Sequence, residues 1–233
     1  MVEFENSEES PVQSPTATIE DYLWLIFTLQ RDHEEVIGAR LAELLEVSPP
    51  TVTVTLKRMS RDSWVRLDDK KRIMLTPEGE EAARSVMRRH MLVEWLLAKM
   101  LNVPWSRLHE EAHKLEHYIS QDVEERLMKE LDAPRVCPHG NPIPGNESWV
   151  SGWVRLADVQ VNTPAVIRRV HEHAESRPRL MHFLEENHML PGKKVTVVEQ
   201  LPFNQTLTVE VEGERVSLGA STARYVYVEQ ISR

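Results

Sequence analysis

The sequence predicts a mainly α-helical protein that ends in a small β domain. Apolar residues recur at helical spacing through much of the first half of the chain. Two short helices joined by a tight turn precede a predicted hairpin, which is the element order of a winged helix-turn-helix. Near the C-terminus, short segments alternate apolar and polar residues, as strands of a small antiparallel barrel do.

Composition limits the class of protein. The 233 residues are enough for two or three small domains, and a hydrophobic content of 41% is enough for buried cores. No apolar run approaches the roughly 18 residues that cross a membrane, and the acidic, Ser/Pro-rich N-terminus is unlike a signal peptide. We therefore expect a cytoplasmic protein with no membrane partner.

The distribution of charge is more informative than its total. The whole chain carries a net charge of −9, which taken alone argues against a nucleic-acid partner. Residues 36–89 are the exception, with a net charge of +3. Because binding to phosphates depends on the local patch, this segment permits contact with DNA.

The N-terminal third has the local signals of three helices. Residues 1–16 are predicted to form a disordered acidic tail, and a capping box at Thr18 is expected to start the first helix. A second helix is predicted from Ile37 to Glu46. After it, Ser48 should cap a third helix that begins with two prolines and runs to about Asp62.

The third helix and the hairpin after it are the candidate DNA-binding elements. Thr51 and Thr53 are weak helix formers, but their small polar side chains suit a surface that meets phosphates and thymine methyl groups. The segments 64–67 and 72–75 are predicted to pair as a wing with a basic tip. The alternative is a small α/β domain that binds a protein instead.

Histidines and glutamates at helical spacing form a candidate metal site. A helix is predicted from Thr76 to Leu101, and a second from the segment HEEAHKLEH to about Leu131. Imidazole and carboxylate groups on one helix face can hold part of the coordination sphere of a divalent cation. Since Cys137 is the only cysteine, we expect nitrogen and oxygen ligands alone. The alternative is a solvated polar stripe. The candidate residues are His90, Glu94, His109, His113, Glu116 and His117.

The same segment also matches the zinc-protease motif H-E-x-x-H. In that interpretation His109 and His113 would hold zinc and Glu110 would be the general base of a zinc metallohydrolase. The motif is short and lies in a region already rich in His and Glu, and no substrate cleft is evident downstream. The metallohydrolase is therefore kept as the alternative function.

The second half of the chain combines an apolar helical surface, a linker and the β domain. The apolar stripe on the two predicted helices is too large for one small layer to bury, which favours a dimer interface. Four prolines between Pro134 and Pro144 predict an extended linker. A helix is expected from Pro178 to Asn187, and strands are expected near 195–198, 206–211, 214–218 and 225–228.

The segments SPPTVTVTLKRM, MRRHMLVEWLL, HEEAHKLEH and PHGNPIPG, in this order, resemble the diphtheria toxin repressor family of metal-dependent transcriptional regulators. The resemblance covers about residues 17–233. It implies a winged helix-turn-helix domain at 17–85, a metal-binding and dimerisation domain with a Pro-rich linker at 86–150, and an SH3-like, FeoA-type domain at 151–233. It also implies a homodimer that binds palindromic operator DNA when loaded with divalent metal.

The resemblance assigns roles residue by residue. The primary metal site corresponds to Asp21, His113, Glu116 and His117, and the ancillary site to His90, Glu94 and His109. Glu172 and Glu175 are candidates for further oxygen ligands from the C-terminal domain. The positions that read DNA correspond to Ser48, Pro50, Thr51, Thr53 and Val54, while the basic residues Arg58, Lys70, Lys71 and Arg72 are expected to contact the DNA backbone.

Departures from the family pattern bear on the metal. The iron-responsive branch has Met and Cys where this chain has Asp21 and His113, and the short manganese-responsive members have a carboxylate where it has Trp24. A hard oxygen and nitrogen set favours Mn²⁺, with Fe²⁺ as the other candidate. The resemblance therefore implies a manganese-responsive repressor of metal-uptake genes. Two alternatives remain: Asp21 only caps its helix, and His90 with Glu94 is only a surface pair.

Overall fold

The computed structural model describes residues 15–231. The tail predicted at residues 1–16 therefore lies almost wholly outside the described residues. The chain forms two compact units that divide between Val86 and Met87. None of the described helices is both long and apolar enough to cross a membrane.

The first unit is a winged helix-turn-helix, as predicted. Its helices pack through apolar side chains at helical spacing, and Leu41, Val52 and Met59 are almost completely buried. The two strands of the wing pair antiparallel, with Val65 opposite Leu75. The elements are α1 (Ala17–Arg31), α2 (Gly38–Leu44), α3 (Pro49–Arg61), β1 (Val65–Leu67), β2 (Ile73–Leu75) and the start of α4 (Pro77–Leu101).

Local capping decides where these helices begin. Ser48 caps α3 as predicted, since its hydroxyl accepts a hydrogen bond of 3.3 Å from the backbone N–H of Thr51. The capping box predicted at Thr18 is wrong. The backbone N–H of Glu20 already bonds to the carbonyl of Thr16, at 2.9 Å, so the helical ladder starts two residues earlier.

The start of α4 depends on a close approach of two backbones. The hydroxyl of Thr76 accepts a hydrogen bond of 3.0 Å from the N–H of Gly79, as the predicted cap requires. A Cβ atom at Gly79 would lie 1.9 Å from the carbonyl oxygen of Trp64. Glycine is therefore required for α4 to begin directly against the wing.

The second unit begins within α4, and its next helix is broken where a continuous one was predicted. The elements are α5 (Leu108–Leu115), a 3-10 turn (Glu116–Tyr118) and α6 (Gln121–Glu130). Ile119 is extended, with φ −80° and ψ 114°, and the hydroxyl of Ser120 caps α6. The prediction of one helix to Leu131 is therefore wrong, because the Ser120 cap starts a new helix after one extended residue.

The predicted extended linker is instead a folded turn over residues 136–143. Val136 pairs with Pro142 in an isolated antiparallel bridge, and the backbone N–H of Cys137 donates to the carbonyl of Asn141 at 2.8 Å. Gly140 has φ +89°, and a Cβ atom there would lie 1.9 Å from the carbonyl oxygen of Arg168. This glycine lets the turn pack against the β domain.

The β domain is a single six-stranded antiparallel sheet. Its core includes Ile167, Val197, Val209 and Val228, and along the predicted strands such buried residues alternate with less buried ones. Strand β4 was not predicted, since its alternation is interrupted by a bulge between Ile167 and Arg169. The strands are β3 (Val154–Arg155), β4 (Pro164–Val170), β5 (Lys194–Leu201), β6 (Thr206–Val211), β7 (Glu214–Gly219) and β8 (Val226–Gln230), hydrogen-bonded in the order β3-β8-β4-β5-β6-β7.

Three short helices complete this domain: α7 (Glu172–Glu175), α8 (Pro178–Glu186) and α9 (Ala220–Ala223). Helix α8 lies against the 3-10 turn that precedes α5, where the carboxylate of Glu185 accepts hydrogen bonds from the N–H of Trp105 at 2.8 Å and the hydroxyl of Ser106 at 2.5 Å. Helix α7 directly follows β4. These contacts bring α7 towards the helical part of the same unit.

Candidate metal centre and DNA interface

A buried group of nitrogen and oxygen atoms lies where α4, α5 and α7 meet. His90 and Glu94 are one turn apart on α4 and almost fully buried, so the predicted alternative of a surface pair is wrong. The Nε2 atom of His90 lies 3.1 Å from Oε1 of Glu94 and 3.0 Å from Nδ1 of His109. Glu175 completes the group, with Oε2 3.1 Å from Nδ1 of His109.

Of the two glutamates proposed from the C-terminal domain, the structure brings only Glu175 to this group. Its Oε1 atom accepts a hydrogen bond of 2.5 Å from Nδ2 of Asn141, which orients the carboxylate. Glu172 instead accepts a hydrogen bond of 2.8 Å from Nη2 of Arg169 and lies outside the donor groups found among the described residues. Glu172 is thus better described as the partner of a buried arginine.

The folded turn contributes two donors that the sequence analysis missed. His139 is completely buried, and its Nδ1 atom lies 3.1 Å from Oε1 of Glu94 and 3.4 Å from Oε1 of Glu175. The Sγ atom of Cys137 forms a donor group with Glu94 and His139. The sequence analysis expected nitrogen and oxygen donors alone, and the structure places this sulfur atom beside them. The available clue was a cysteine and a histidine two residues apart in a Pro/Gly-rich turn.

The backbone of Trp105 orients the ring of His139. The carbonyl oxygen of Trp105 lies 3.1 Å from Nε2 of His139 and can only accept a hydrogen bond. When the ring is neutral, Nε2 therefore carries the proton and Nδ1 presents its lone pair to the carboxylates. This is the second-sphere arrangement that prepares a histidine to ligate a metal.

The ionisable groups of this cluster shift one another strongly. Burial lowers the pKa of His90, but Glu94 and Glu116 outweigh it and raise the pKa to about 10. Burial likewise lowers the pKa of His139, while Glu175 and Glu94 raise it to about 9. Burial acts to raise the pKa of Glu94, yet the two histidines hold it well below its ordinary value. Burial, followed by the nearby carboxylates, raises the pKa of the Cys137 thiol well above its usual range.

A divalent cation fits these donors. The Oε2 atom of Glu94 and the Nδ1 atom of His139 are buried and have no hydrogen-bond partner among the described residues. Leaving such groups unsatisfied costs about 1–3 kcal/mol each, and more when they are charged. A cation would satisfy both atoms, and nitrogen, oxygen and sulfur donors within 4.8 Å of one another suit a transition metal.

A second donor group lies at the junction of α5 and the 3-10 turn. Glu116 is fully buried, and its Oε1 atom lies 3.2 Å from Nδ1 of His113 and 3.5 Å from Nε2 of His117. Burial raises the pKa of Glu116, but hydrogen bonds with His113 and His90 lower it to about 2. Asp21, the fourth predicted ligand, is a partly exposed residue of α1 in the first unit.

The geometry contradicts the zinc-protease interpretation of HEEAH. The rings of His109 and His113 are stacked 6.5 Å apart between centroids, and each faces a different buried glutamate. Glu110 lies on the exposed side of α5, where its carboxylate accepts a hydrogen bond of 2.8 Å from Nζ of Lys114. The two histidines therefore do not form one zinc site, and the candidate base points away from both groups.

The predicted DNA-reading residues are all exposed. Ser48, Pro50, Thr51, Thr53 and Val54 lie at the start of α3, and Val54 keeps 69% of its surface exposed although it is apolar. The hydroxyl of Thr53 donates a hydrogen bond of 3.0 Å to the carbonyl of Pro49, which leaves its methyl group outward. An exposed apolar and hydroxyl surface at a helix N-terminus suits the major groove.

The wing turn is organised by one carboxylate. Asp68 accepts hydrogen bonds from the N–H groups of Lys70 and Arg72, both at 2.9 Å, and from Nε of Arg72 at 2.6 Å. These bonds, the Arg72 backbone first, lower the pKa of Asp68. Arg72 is thus tied to the wing itself. Lys70 and Lys71 at the tip and Arg58 on α3 are also exposed.

An exposed recognition helix, a wing and a buried group of metal donors together define a metal-dependent DNA-binding regulator. Three family models match consecutive parts of the chain, in agreement with this class. They are the iron-dependent repressor N-terminal DNA-binding domain at residues 15–73, the iron-dependent repressor metal-binding and dimerisation domain at 76–145, and the FeoA domain at 154–230.

Relatives are similar in sequence to this chain along most of its length. The iron-dependent repressor IdeR of Mycobacterium leprae is 36% identical over 225 residues, covering 92% of this chain and 97% of the relative. The diphtheria toxin repressor of Corynebacterium diphtheriae is 35% identical over 196 residues, covering 83% and 80%. The chain therefore belongs to the iron-dependent repressor family, whose members are metal-dependent transcriptional repressors and not enzymes.

Solved structures of metal-dependent repressors are also similar to this chain along most of its length. A manganese-dependent transcriptional repressor in complex with manganese superposes with a TM-score of 0.81 at 26% identity, covering 91% of this chain and 100% of that chain. The repressor ScaR with bound Cd²⁺ superposes with a TM-score of 0.78 at 31% identity, covering 93% and 100%. The manganese and Cd²⁺ belong to these neighbouring structures.

Proposed function

We propose that this chain is a manganese-responsive repressor of metal-uptake genes that binds palindromic operator DNA as a homodimer in the cytoplasm. The observation that carries the metal preference is the donor set around Glu116. It consists of a buried carboxylate with His113 and His117, which are hard nitrogen and oxygen donors. Mn²⁺ has the weakest intrinsic affinity of the common transition metals, so it needs several such ligands together.

The primary site is proposed to consist of Asp21, His113, Glu116 and His117. The ancillary site is proposed to contain His90, Glu94, His109 and Glu175, the last being the one of the two candidate glutamates of the C-terminal domain that lies near this group. Support for the ancillary site comes from the burial of three of these four residues and from the unsatisfied oxygen of Glu94. Support for Asp21 comes from the family resemblance.

The proposed switch follows from charge. Without metal, the carboxylates of Asp21 and Glu116 would repel each other on close approach. This repulsion would disfavour the association of α1 with the Glu116 group. A bound cation supplies the positive charge that holds both. Ordering α1 in this way would fix the position of α3 and match the two recognition helices of a dimer to two half-sites. A coupling of about 1–3 kcal/mol would change operator affinity roughly 5–150-fold.

The proposed dimer interface uses exposed apolar residues of the helical part of the second unit. These apolar side chains are 41–85% exposed in the single chain, which leaves apolar surface available to a partner. Isologous pairing would bury them around a two-fold axis, as a palindromic operator requires. The residues are Met100, Leu101, Leu115, Tyr118 and Val123.

The test is operator binding by protein stripped of metal and then titrated with Mn²⁺, Fe²⁺ or Zn²⁺ at controlled free concentrations. We expect no specific binding without metal, tight binding at low free Mn²⁺ and a dimer on the operator. Mass measurement of the complex reports the number of chains. Operator binding that is unaffected by chelator would overturn the metal switch, and a response to Fe²⁺ at far lower concentration than to Mn²⁺ would overturn the metal assignment.

A further inference from the structure

We propose that the acidic N-terminal segment, residues 1–14, docks into a cleft between the recognition helix α3 and the wing. Phe4 enters the cleft, and Glu3 and Glu5 pair with the lysines beside it. The docked segment covers part of the DNA-binding surface and so competes with DNA. This proposal rests on the DNA-binding class of the protein and not on its metal or its target genes. The cleft lies wholly within the described part of the chain, whereas residues 1–14 lie outside it.

The cleft is an apolar space next to the start of α2. Its volume of about 440 Å³ lies within the range of about 300–1,000 Å³ that is typical of ligand pockets. Leu56 and Ile73 are buried and form its apolar base, while Leu67 of the wing lines it and is 46% exposed. Apolar surface left open to water on a small domain marks a place where another group binds.

Two lysines give the cleft its charge. Lys57 of α3 and Lys71 of the wing both line it and are exposed. Neither forms a salt bridge with any residue between 15 and 231, the part of the chain that the structure describes. Arg72 differs from them, because it is paired with Asp68. The cleft therefore combines apolar surface with two uncompensated positive charges, which an apolar side chain flanked by carboxylates would complement.

The N-terminal segment has this composition. Residues 1–14 contain four glutamates and neither lysine nor arginine. Phe4 is the only aromatic residue among them, and it stands between Glu3 and Glu5. An aromatic ring buries about 150–250 Å² when it is enclosed, so the apolar base favours Phe4 as the inserted side chain. The phosphates of DNA would use the two lysines but would leave the apolar base uncovered.

The segment is long enough to reach the cleft. An extended chain covers about 3.3–3.6 Å per residue, so the stretch from Phe4 to Pro15 can span roughly 36 Å. A compact unit of the size of Met1–Val86 has a radius of gyration of about 12 Å. Thr16 is exposed, so the chain leaves this unit at its surface. Phe4 can therefore reach any face of the unit to which it is tethered.

Tethering determines the size of the effect. A short flexible connection gives an effective concentration of about 1 mM, so an intrinsic dissociation constant of about 0.1–1 mM is enough to fill the cleft at least half of the time. Thr53 and Lys71 line the cleft and also belong to the proposed DNA-binding surface, so docking and DNA binding exclude each other. The competition raises the apparent dissociation constant for DNA about 2–10-fold.

The first measurement is the methyl NMR spectrum of the full-length chain, labelled at leucine and isoleucine and recorded without DNA or added metal. The variant Phe4→Ser should shift the resonances of Leu56, Leu67 and Ile73, because they lose a neighbouring aromatic ring. The double variant Glu3→Gln, Glu5→Gln should shift them in the same direction. Phe203→Ser is the matched control, since it removes an 84% exposed phenylalanine from the β domain and should leave the cleft resonances unchanged.

The second measurement is the affinity for random-sequence duplex DNA at low salt, with Mn²⁺ present throughout. Phe4→Ser should strengthen binding about 2–10-fold although it changes no charge. Leu67→Ser should strengthen it similarly, because it removes the other side of the contact. Adding Phe4→Ser to Leu67→Ser should then give no further gain, since residues in contact are not additive. Phe203→Ser should bind DNA as wild type does.

The outcomes separate this proposal from the proposed function, because the NMR measurement needs neither metal nor operator. Cleft resonances that are the same in wild type and Phe4→Ser overturn the docking, even if operator binding is switched by Mn²⁺. Additive effects of Phe4→Ser and Leu67→Ser on DNA affinity also overturn it. Shifts that appear only at high protein concentration assign the cleft to the segment of a second copy. If Leu67→Ser fails to fold, Phe4→Ser decides alone.

Discussion

His90 contacts the central carboxylates of both donor groups. Its Nδ1 atom is hydrogen-bonded to Oε2 of Glu116, and its Nε2 atom lies 3.1 Å from Oε1 of Glu94. A cation on Nε2 would fix the remaining proton on Nδ1, where it can only be donated to Glu116. One imidazole thus links the ancillary donors to the carboxylate proposed to ligate the primary metal.

We expect His90→Gln to weaken metal binding at both groups, although only one group loses a direct ligand. Loss of an orienting partner costs about 10–100-fold in metal affinity, so the Glu116 group should weaken by that factor. Calorimetric titration of the stripped protein with Mn²⁺ measures both affinities. His182→Ala serves as the control. A variant whose Glu116 group binds Mn²⁺ as tightly as wild type would show that the two groups are independent.

Metal binding should release protons at neutral pH. In the metal-free chain the pKa of His90 is raised to about 10 and that of His139 to about 9, so both rings are protonated at pH 7. A metal must displace these protons, and its affinity should therefore rise by up to about tenfold per pH unit for each proton displaced, until the pH reaches those pKa values.

The metal-free fold should respond to pH in the opposite direction. Protonated His90 and His139 stabilise the fold because their pKa values are raised. This contribution is fully present below the ordinary histidine pKa near 6.5, and it is lost as the pH rises through 9–10. Calorimetry in two buffers of different ionisation enthalpy gives the number of protons released, and thermal unfolding of the stripped protein gives the stability. Absence of proton release at pH 7 would contradict the prediction that metal binding displaces protons from these histidines.

Glu110→Gln should leave metal-dependent operator binding unchanged. Glu110 is exposed and paired with Lys114 on the face of α5 away from both donor groups. An exposed helix pair of this kind contributes little to stability, because solvent screens the two charges. Operator affinity and a peptidase assay of the purified protein check the prediction, which fails if wild type is a metal-dependent peptidase that this substitution inactivates.

The wing and the recognition helix should affect DNA binding in different ways. Alanine at Lys70 or Lys71 removes an exposed charge and should weaken binding similarly on all sequences, with a flatter dependence on salt. Alanine at Thr51 or Thr53 should instead change the preference among operator sequences by about 1–3 kcal/mol per affected base pair. Binding isotherms at several salt concentrations on specific and random DNA separate the two effects. Lysine variants that bind DNA as tightly as wild type at low salt would contradict the prediction that the wing contacts the DNA backbone.

The double substitution Asp21→Met, His113→Cys should move the response from Mn²⁺ towards Fe²⁺. It restores thioether and thiol ligands at positions that the iron-responsive branch occupies with sulfur, and softer ligands favour metals later in the transition series. Operator affinity against free metal is measured for both proteins. Zn²⁺ should bind wild type but activate it poorly, because its tetrahedral preference leaves one ligand unused. An unchanged metal order in the double variant would refute the assignment.

The winged helix could be predicted from sequence because its determinants are local. The Ser48 cap, the two prolines after it and the spacing of Leu41, Val52 and Met59 act within one or two turns of the chain. The same holds for the pairing of His90 with Glu94 on α4. Helical period and capping chemistry are sufficient at this range.

The metal cluster depended on contacts between distant parts of the chain. Glu94, His139 and Glu175 lie on a helix, a turn and a short helix after a strand, and only packing of the second unit brings them together. No sequence periodicity relates these positions. The Pro/Gly-rich segment by itself predicts an open linker, because the close approach of Gly140 to the backbone of Arg168 is visible only in the folded structure. The sequence by itself therefore determined which donors are available, and the tertiary structure decided which of them share a carboxylate, because burial against the sheet sets that convergence.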